Sequence, residues 1–205
     1  NLMKLFSKII SYLLHPVFIP LIATGCYFFY TQEYYQKTFM KFTFLQVSIM
    51  TLFLPICLFL MLKSFKVLNS TLMINDLNER KIPFFFNLLL LGILLFRIWE
   101  FSSHSELKIF FLGYFFSYLI LFLGVFLKQK ISVHTVALTG TLPFTIATSI
   151  AYSQVLVWQT SALFLLIGLL ITARLYSKAH TNLEVVLGLI VGILPQILAR
   201  HFQIY

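Results

Sequence analysis

Ala173-Arg174-Leu175-Tyr176-Ser177-Lys178-Ala179-His180-Thr181-Asn182-Leu183-Glu184 joins two long apolar runs, 155–173 and 183–199. A helix needs roughly 20 apolar residues to cross a bilayer. Two such runs meeting at one short polar junction read as two membrane helices turning at the bilayer edge. Ionisable groups kept at that edge are costly, so they mark a functional site. Arg174 can clamp an oxyanion, and His180 can attack or shuttle protons. Glu184 follows His180 by four residues, which places both on one face of a helix.

The composition extends this reading to the whole chain. Of 205 residues, 60% are hydrophobic and only 10% charged, against about 25% charged in a soluble domain. So little charge cannot cover a water-facing surface, and the chain is expected to be one integral-membrane domain, 1–205. The expected fold is all-α, a polytopic transmembrane helix bundle of about 6–7 spans. Candidate spans are 7–30, 42–62, 84–99, 107–127, 133–152, 155–173 and 183–199. The first contains His15-Pro16 and Pro20 and is expected to kink or to enter as a re-entrant piece. It reads as a span rather than a removed signal peptide. The third is short and would stand nearly upright or thin the bilayer. The fifth is rich in Gly, Ala, Ser and Thr, which places it at the bundle centre. Cys26 and Cys57 read as small core residues, not as a disulfide or metal site.

The formal net charge is +9. The Lys and Arg residues sit at the ends of apolar runs, which fits snorkelling and anionic headgroups rather than nucleic acid. Span parity brings the clusters at 75–83, 128–134 and 174–184 to one membrane face. Ten of the fifteen Lys and Arg lie on that face, which makes it cytoplasmic by charge count. The Phe-, Lys- and Ile-rich composition fits an AT-rich bacterial genome, and the expected location is the bacterial inner (cytoplasmic) membrane.

The converging face offers Arg80, Lys81, Lys130 and Arg174 as cations, Ser132 as a hydroxyl, His134 and His180 as imidazoles, and Glu184 as a carboxylate. Arg binds phosphate oxygens bidentately and Lys does so as a point charge. One histidine can take a phosphoryl group covalently while another protonates the leaving oxygen. A carboxylate beside the nucleophile fixes its tautomer. There is no HExxH pattern and no acidic cluster for magnesium, so no metal and no cofactor are expected.

These residues resemble the type 2 phosphatidic acid phosphatase superfamily. Its closing signature, S-R, five residues, H, three residues, D, is matched here by Ala173-Arg174, His180 and Glu184. Its middle motif P-S-G-H is matched by Ser132 and His134 within Ile131-Ser132-Val133-His134. The resemblance covers about residues 128–192. The family's first motif, K-x-x-x-x-x-x-R-P, has only a degenerate counterpart in Arg80-Lys81-Ile82-Pro83. The resemblance implies that His180 forms a phosphohistidine, that Glu184 orients it and that His134 is the general acid. Arg174 and Ser132 would bind phosphate oxygens, with Arg80, Lys81 and Lys130 as further partners. The implied substrate is a lipid phosphate or diphosphate whose tail stays among membrane lipids. The family's site usually faces outward, against the charge count.

Other readings stand beside this one. A catalytically inactive relative could bind lipid phosphates or serve as a membrane scaffold, given the altered middle motif. Asn75-Asp76 before a span hints at polyprenyl transfer, but no second acidic cluster accompanies it. A small transporter lacks the paired broken spans that such a site uses. Ser132 could equally be a helix N-cap, His15 a kink residue, and His104 and His201 exposed. Oligomeric state carries no sequence signal.

Overall fold

A computed structural model describes residues 2–69, 74, 76–101 and 106–203, with side chains at 99–101 and 203 excepted. Asn75 and His104 lie outside the described residues. Eight helices account for nearly all of it: α1 Leu2–Leu13, α2 Ile19–Tyr30, α3 Lys37–Ser64, α4 Lys81–Phe101, α5 Glu106–Phe126, α6 Val133–Ala151, α7 Val157–Tyr176 and α8 Asn182–Gln203. Six helices, all but α1 and α2, are long and apolar enough to span a membrane, and the chain is an integral-membrane α-helical bundle.

The first expected span is corrected. Residues 7–30 do not form one helix; α1 ends at Leu13 and α2 begins at Ile19. Pro16 lacks an N–H and crowds the preceding turn, so α1 stops ahead of it, while Pro20 sits in the first turn of α2, where no intrahelical N–H is needed. The chain still crosses the bundle here. His15 lies against His134 at the start of α6, and Tyr27 bonds Tyr152 just past its end. The third span is also corrected: α4 runs from Lys81 to Phe101, 21 residues, and is not short. Within α3, residues Ile49–Phe53 form a π turn directly ahead of Pro55. Pro55 cannot donate the next hydrogen bond, and the ladder widens to accommodate it.

The bundle centre is α6, as its small residues implied. It has the largest buried share of any candidate span and packs against α2, α5, α7 and α8. Glycines set the closest approach. A Cβ at Gly140 would sit 3.3 Å from the Gly192 carbonyl of α8. At Gly188 it would sit 2.9 Å from Thr135 Cβ. Between α5 and α8, Ser117 donates to the Val191 carbonyl at 2.8 Å and Gln196 to the Phe110 carbonyl at 3.0 Å. Small residues and buried polar bonds are what hold helices together where lipid is as apolar as the core.

The opposite face is closed by a ring of hydroxyls, with Tyr27, Tyr35 and Tyr152 each 2.6 Å from the other two. Arg200 of α8 pairs there with Glu106 of α5. Cys26 and Cys57 are free and exposed on the outer surface of the bundle, not packed in its core.

Candidate functional site

Four helix ends meet at the other face, and their caps place the side chains. α7 ends in the last turn that carries Arg174, and the chain leaves it through Lys178 at φ 51°. Ala179 N–H then returns to the Arg174 carbonyl at 3.2 Å, the reversed turn that closes a helix C-terminus. Thr181 caps α8: Glu184 N–H donates to its hydroxyl at 3.3 Å. Threonine with glutamate three positions later is a capping-box pattern. Here the glutamate carboxylate turns to His180 instead, 2.6 Å from its Nδ1. His180 is therefore held between two helix ends, with Nε2 as the nitrogen left for chemistry.

The loop and the start of α6 are tied together. Ser132 N–H donates to the Glu184 carbonyl at 3.2 Å, and Lys130 Nζ to the Ala179 carbonyl at 3.2 Å. His134 occupies the first turn of α6, and its Nε2–H donates to the Ser11 carbonyl at 3.2 Å. Arg174 reaches the Ser11 hydroxyl at 3.4 Å. Arg80 donates twice to the Ile74 carbonyl, at 3.0 and 2.7 Å, and once to the Ile131 carbonyl at 3.2 Å.

His15, Arg80, His134, Arg174 and His180 line one cavity of about 120 Å³. That volume holds several water-sized groups at ~10–15 Å³ each. Arg80, His134, Arg174 and His180 are all buried. The wall opposite these groups is apolar, from Pro55, Ile56 and Phe59 of α3 and Pro83 and Phe84 of α4. Lys130, His180 and Glu184 also line a shallower outer depression. Burial pushes the His180 imidazole below its ordinary range, and the Arg174 and Lys130 charges add to this. The Glu184 carboxylate pulls the other way without overcoming the burial.

Not every residue singled out in the sequence reaches the cavity. Ser132 is fully buried and absent from its lining. Its hydroxyl accepts from Thr135 Oγ1 at 2.9 Å and Thr135 N–H at 3.5 Å, so it caps α6 and is not placed to hold phosphate. Lys81 turns away, with its Nζ 5.8 Å from the Phe126 ring centroid. Lys130 faces the outer depression and not the inner cavity. Arg80 does line the cavity, but three of its five N–H donors go to carbonyls. Conversely, sequence reasoning missed Ser11, which holds Arg174 and His134 together, and His15, read only as a kink residue.

Ser132→Ala checks the capping role. It is expected to cost about 1 kcal/mol of stability, read from a thermal melt in detergent, while leaving the side chains that line the cavity in place.

No protein-family model, curated protein or solved structure matches this chain.

Proposed function

We propose that the protein is a membrane lipid phosphatase that works through a phosphohistidine at His180. The observation that carries this reading is the single cavity shared by His180, Arg174, His134 and Arg80, with Glu184 on the Nδ1 of His180. The chemistry suits these parts. Nε2 of neutral His180 attacks phosphorus, the P–O bond to the lipid breaks, and its electron pair leaves on the lipid oxygen. His134 gives that oxygen a proton. Water then attacks the phosphohistidine, His134 takes back a proton, and inorganic phosphate departs. Arg174 and the two remaining donors of Arg80 offset the charge that gathers on the phosphoryl oxygens. The apolar wall from α3 and α4 fits a substrate whose tail remains in the bilayer. A phosphate or diphosphate of an acyl or polyprenyl lipid meets these demands, in the cytoplasmic membrane of a bacterium.

The test is phosphate release by the purified protein in detergent from a panel of lipid phosphates, with acid-stable and acid-labile phosphoenzyme separated after quenching. Release with an acid-labile phosphoenzyme supports the reading; no release from any member overturns it.

A second reading is favoured by the fates of Ser132 and Arg80, whose polar atoms serve the fold. In that reading the cavity binds lipid phosphate without turning it over. Phosphatidate would then raise the melting temperature of the protein while releasing no phosphate.

The nucleophile acts as neutral imidazole, which fixes a pH dependence. With His180 held below its usual 6.5, activity falls only as acid carries the solution down through that lowered value. The acid limb of kcat/KM is therefore expected below pH 6.5. Glu184→Gln removes the one upward pull and is expected to move the limb further down. A limb at or above pH 6.5 in the wild type counts against His180 as the nucleophile.

A further inference from the structure

Lysine stands where the backbone favours glycine at three helix ends, all on the face that carries the cavity. α3, α5 and α7 each close with a reversed turn whose key residue sits in the left-handed region, a place usually taken by glycine or asparagine. Here those residues are Lys66 (φ 58°), Lys128 (φ 56°) and Lys178 (φ 51°). The closing bonds run from Val67 N–H to the Leu62 carbonyl at 3.0 Å, from Gln129 N–H to the Gly124 carbonyl at 2.8 Å and from Ala179 N–H to the Arg174 carbonyl at 3.2 Å. The matching turn on the opposite face, after α6, uses the uncharged Ser153 at φ 52°. None of the chain's eight glycines has positive φ. A Cβ in this region crowds the following carbonyl, so each lysine carries a strain that glycine would remove. The helix dipole does not account for all three. Lys63 and Arg174 already stand in the last turns of α3 and α7, where a cation meets the dipole without strain.

We infer that Lys66, Lys128 and Lys178 bind the headgroups of anionic phospholipids in the leaflet around the cavity. All three are exposed, and each follows a membrane-spanning helix by one or two residues, the depth at which hydrocarbon gives way to headgroups. A lysine at that depth is drawn to anionic lipid, and this attraction offsets the backbone strain. No single pocket gathers the three. Lys178 borders the outer depression, whereas Lys66 and Lys128 line neither that depression nor the inner cavity. Separate contacts on three helices suit a lipid surface and not one small anion. A lipid phosphate is itself anionic, so the same lysines also gather the proposed substrate at this face. The inference stands without the phosphatase reading, and its test reads lipid association rather than turnover.

The protein is reconstituted in phosphatidylcholine bilayers holding a trace of spin-labelled phosphatidylglycerol or spin-labelled phosphatidylcholine. Electron paramagnetic resonance reads the fraction of each label immobilised at the protein. At low salt the wild type is expected to prefer phosphatidylglycerol about fivefold, roughly the effect of one lysine near an anionic surface. The preference is expected to shrink in 1 M salt, where the screening length is about 3 Å. Replacing Lys66, Lys128 and Lys178 together, by Gln or by Gly, is expected to remove at least about half of it. The Gly triple variant is expected to melt no lower than the wild type in neutral detergent, because it relieves three strained residues; its lost preference is then not a lost fold. The control is Lys37→Gln with Lys41→Gln, both exposed at the start of α3 on the opposite face, which is expected to keep the preference. A wild type without preference, triple variants that retain it, a Gly variant that melts below the wild type, or an equal loss in the control would each overturn the inference.

Discussion

His180→Ala is expected to lower phosphate release from a lipid phosphate by on the order of 10³- to 10⁶-fold, the range seen when a covalent nucleophile is deleted. It is also expected to leave no acid-labile phosphoenzyme. The protein should still fold. Among the described residues His180 makes one side-chain hydrogen bond, to Glu184. The Glu184 side chain is 18% exposed, so water can replace the lost partner. The loop keeps its backbone ties, from Ala179 N–H to the Arg174 carbonyl and from Lys130 to the Ala179 carbonyl. A stability change of about 1 kcal/mol is the expected ceiling. Release and melting temperature measured on one preparation separate chemistry from folding. Glu184→Ala provides the gradation. The nucleophile remains while its tautomer is no longer fixed, and a loss of about 10²-fold is expected. A His180→Ala protein that still releases phosphate at a tenth of the wild-type rate or better would exclude the phosphohistidine route.

Much of this was legible in the sequence because the bilayer removes alternatives. With no water to satisfy the backbone, apolar runs of this length become helices. Six of the seven expected spans appear as helices, with their ends moved by a few residues. The small residues of 136–151 marked α6 as the centre, since only a close-packed helix benefits from them. The Arg174–His180–Glu184 spacing gave the neighbours, although not for the helical reason: His180 precedes the Thr181 cap of α8, and the turn after α7 brings its ring to the Glu184 carboxylate.

What failed needed information that spacing does not carry. Lys81 follows Arg80 by one residue, and about 100° of helix rotation carries it from the cavity to the Phe126 ring. Whether Ser132 bonds a phosphate or caps α6 is decided by backbone dihedrals that no motif records. Pro16 and Pro20 signalled a break, but not that the broken segment would fold over Arg174 and His134 and add Ser11 and His15 to the site. The signal available was His15 beside Pro16: a titratable ring at a helix break in the bilayer is costly enough to need a purpose.

Gly192→Ala is expected to be the most damaging single-methyl change in the bundle, although Gly192 lies about 17 Å along α8 from its N-terminal cap. A Cβ there would sit 2.0 Å from Thr139 Oγ1 and 2.7 Å from the Val136 carbonyl oxygen. The hydroxyl is itself bonded to the Thr135 carbonyl at 2.8 Å, and a backbone carbonyl cannot swing aside. The helices must therefore separate. Overpacking of this kind costs about 1–3 kcal/mol and occasionally more; with backbone as the obstacle, about 3 kcal/mol is expected. The site should suffer as well. α6 carries His134, and the start of α8 holds Glu184 and, through it, His180. A displacement approaching 1 Å between them can cost about 10²-fold in rate. Gly168→Ala is the internal control, because a Cβ there meets nothing within 4 Å. Alanine is the better helix former by up to about 1 kcal/mol, so that variant should be neutral or stabilised and fully active. Melting temperatures and phosphate release for the two variants are thus expected to move in opposite directions. If Gly192→Ala melts with the wild type, the tight α6–α8 approach is not what holds the two halves of the site in register.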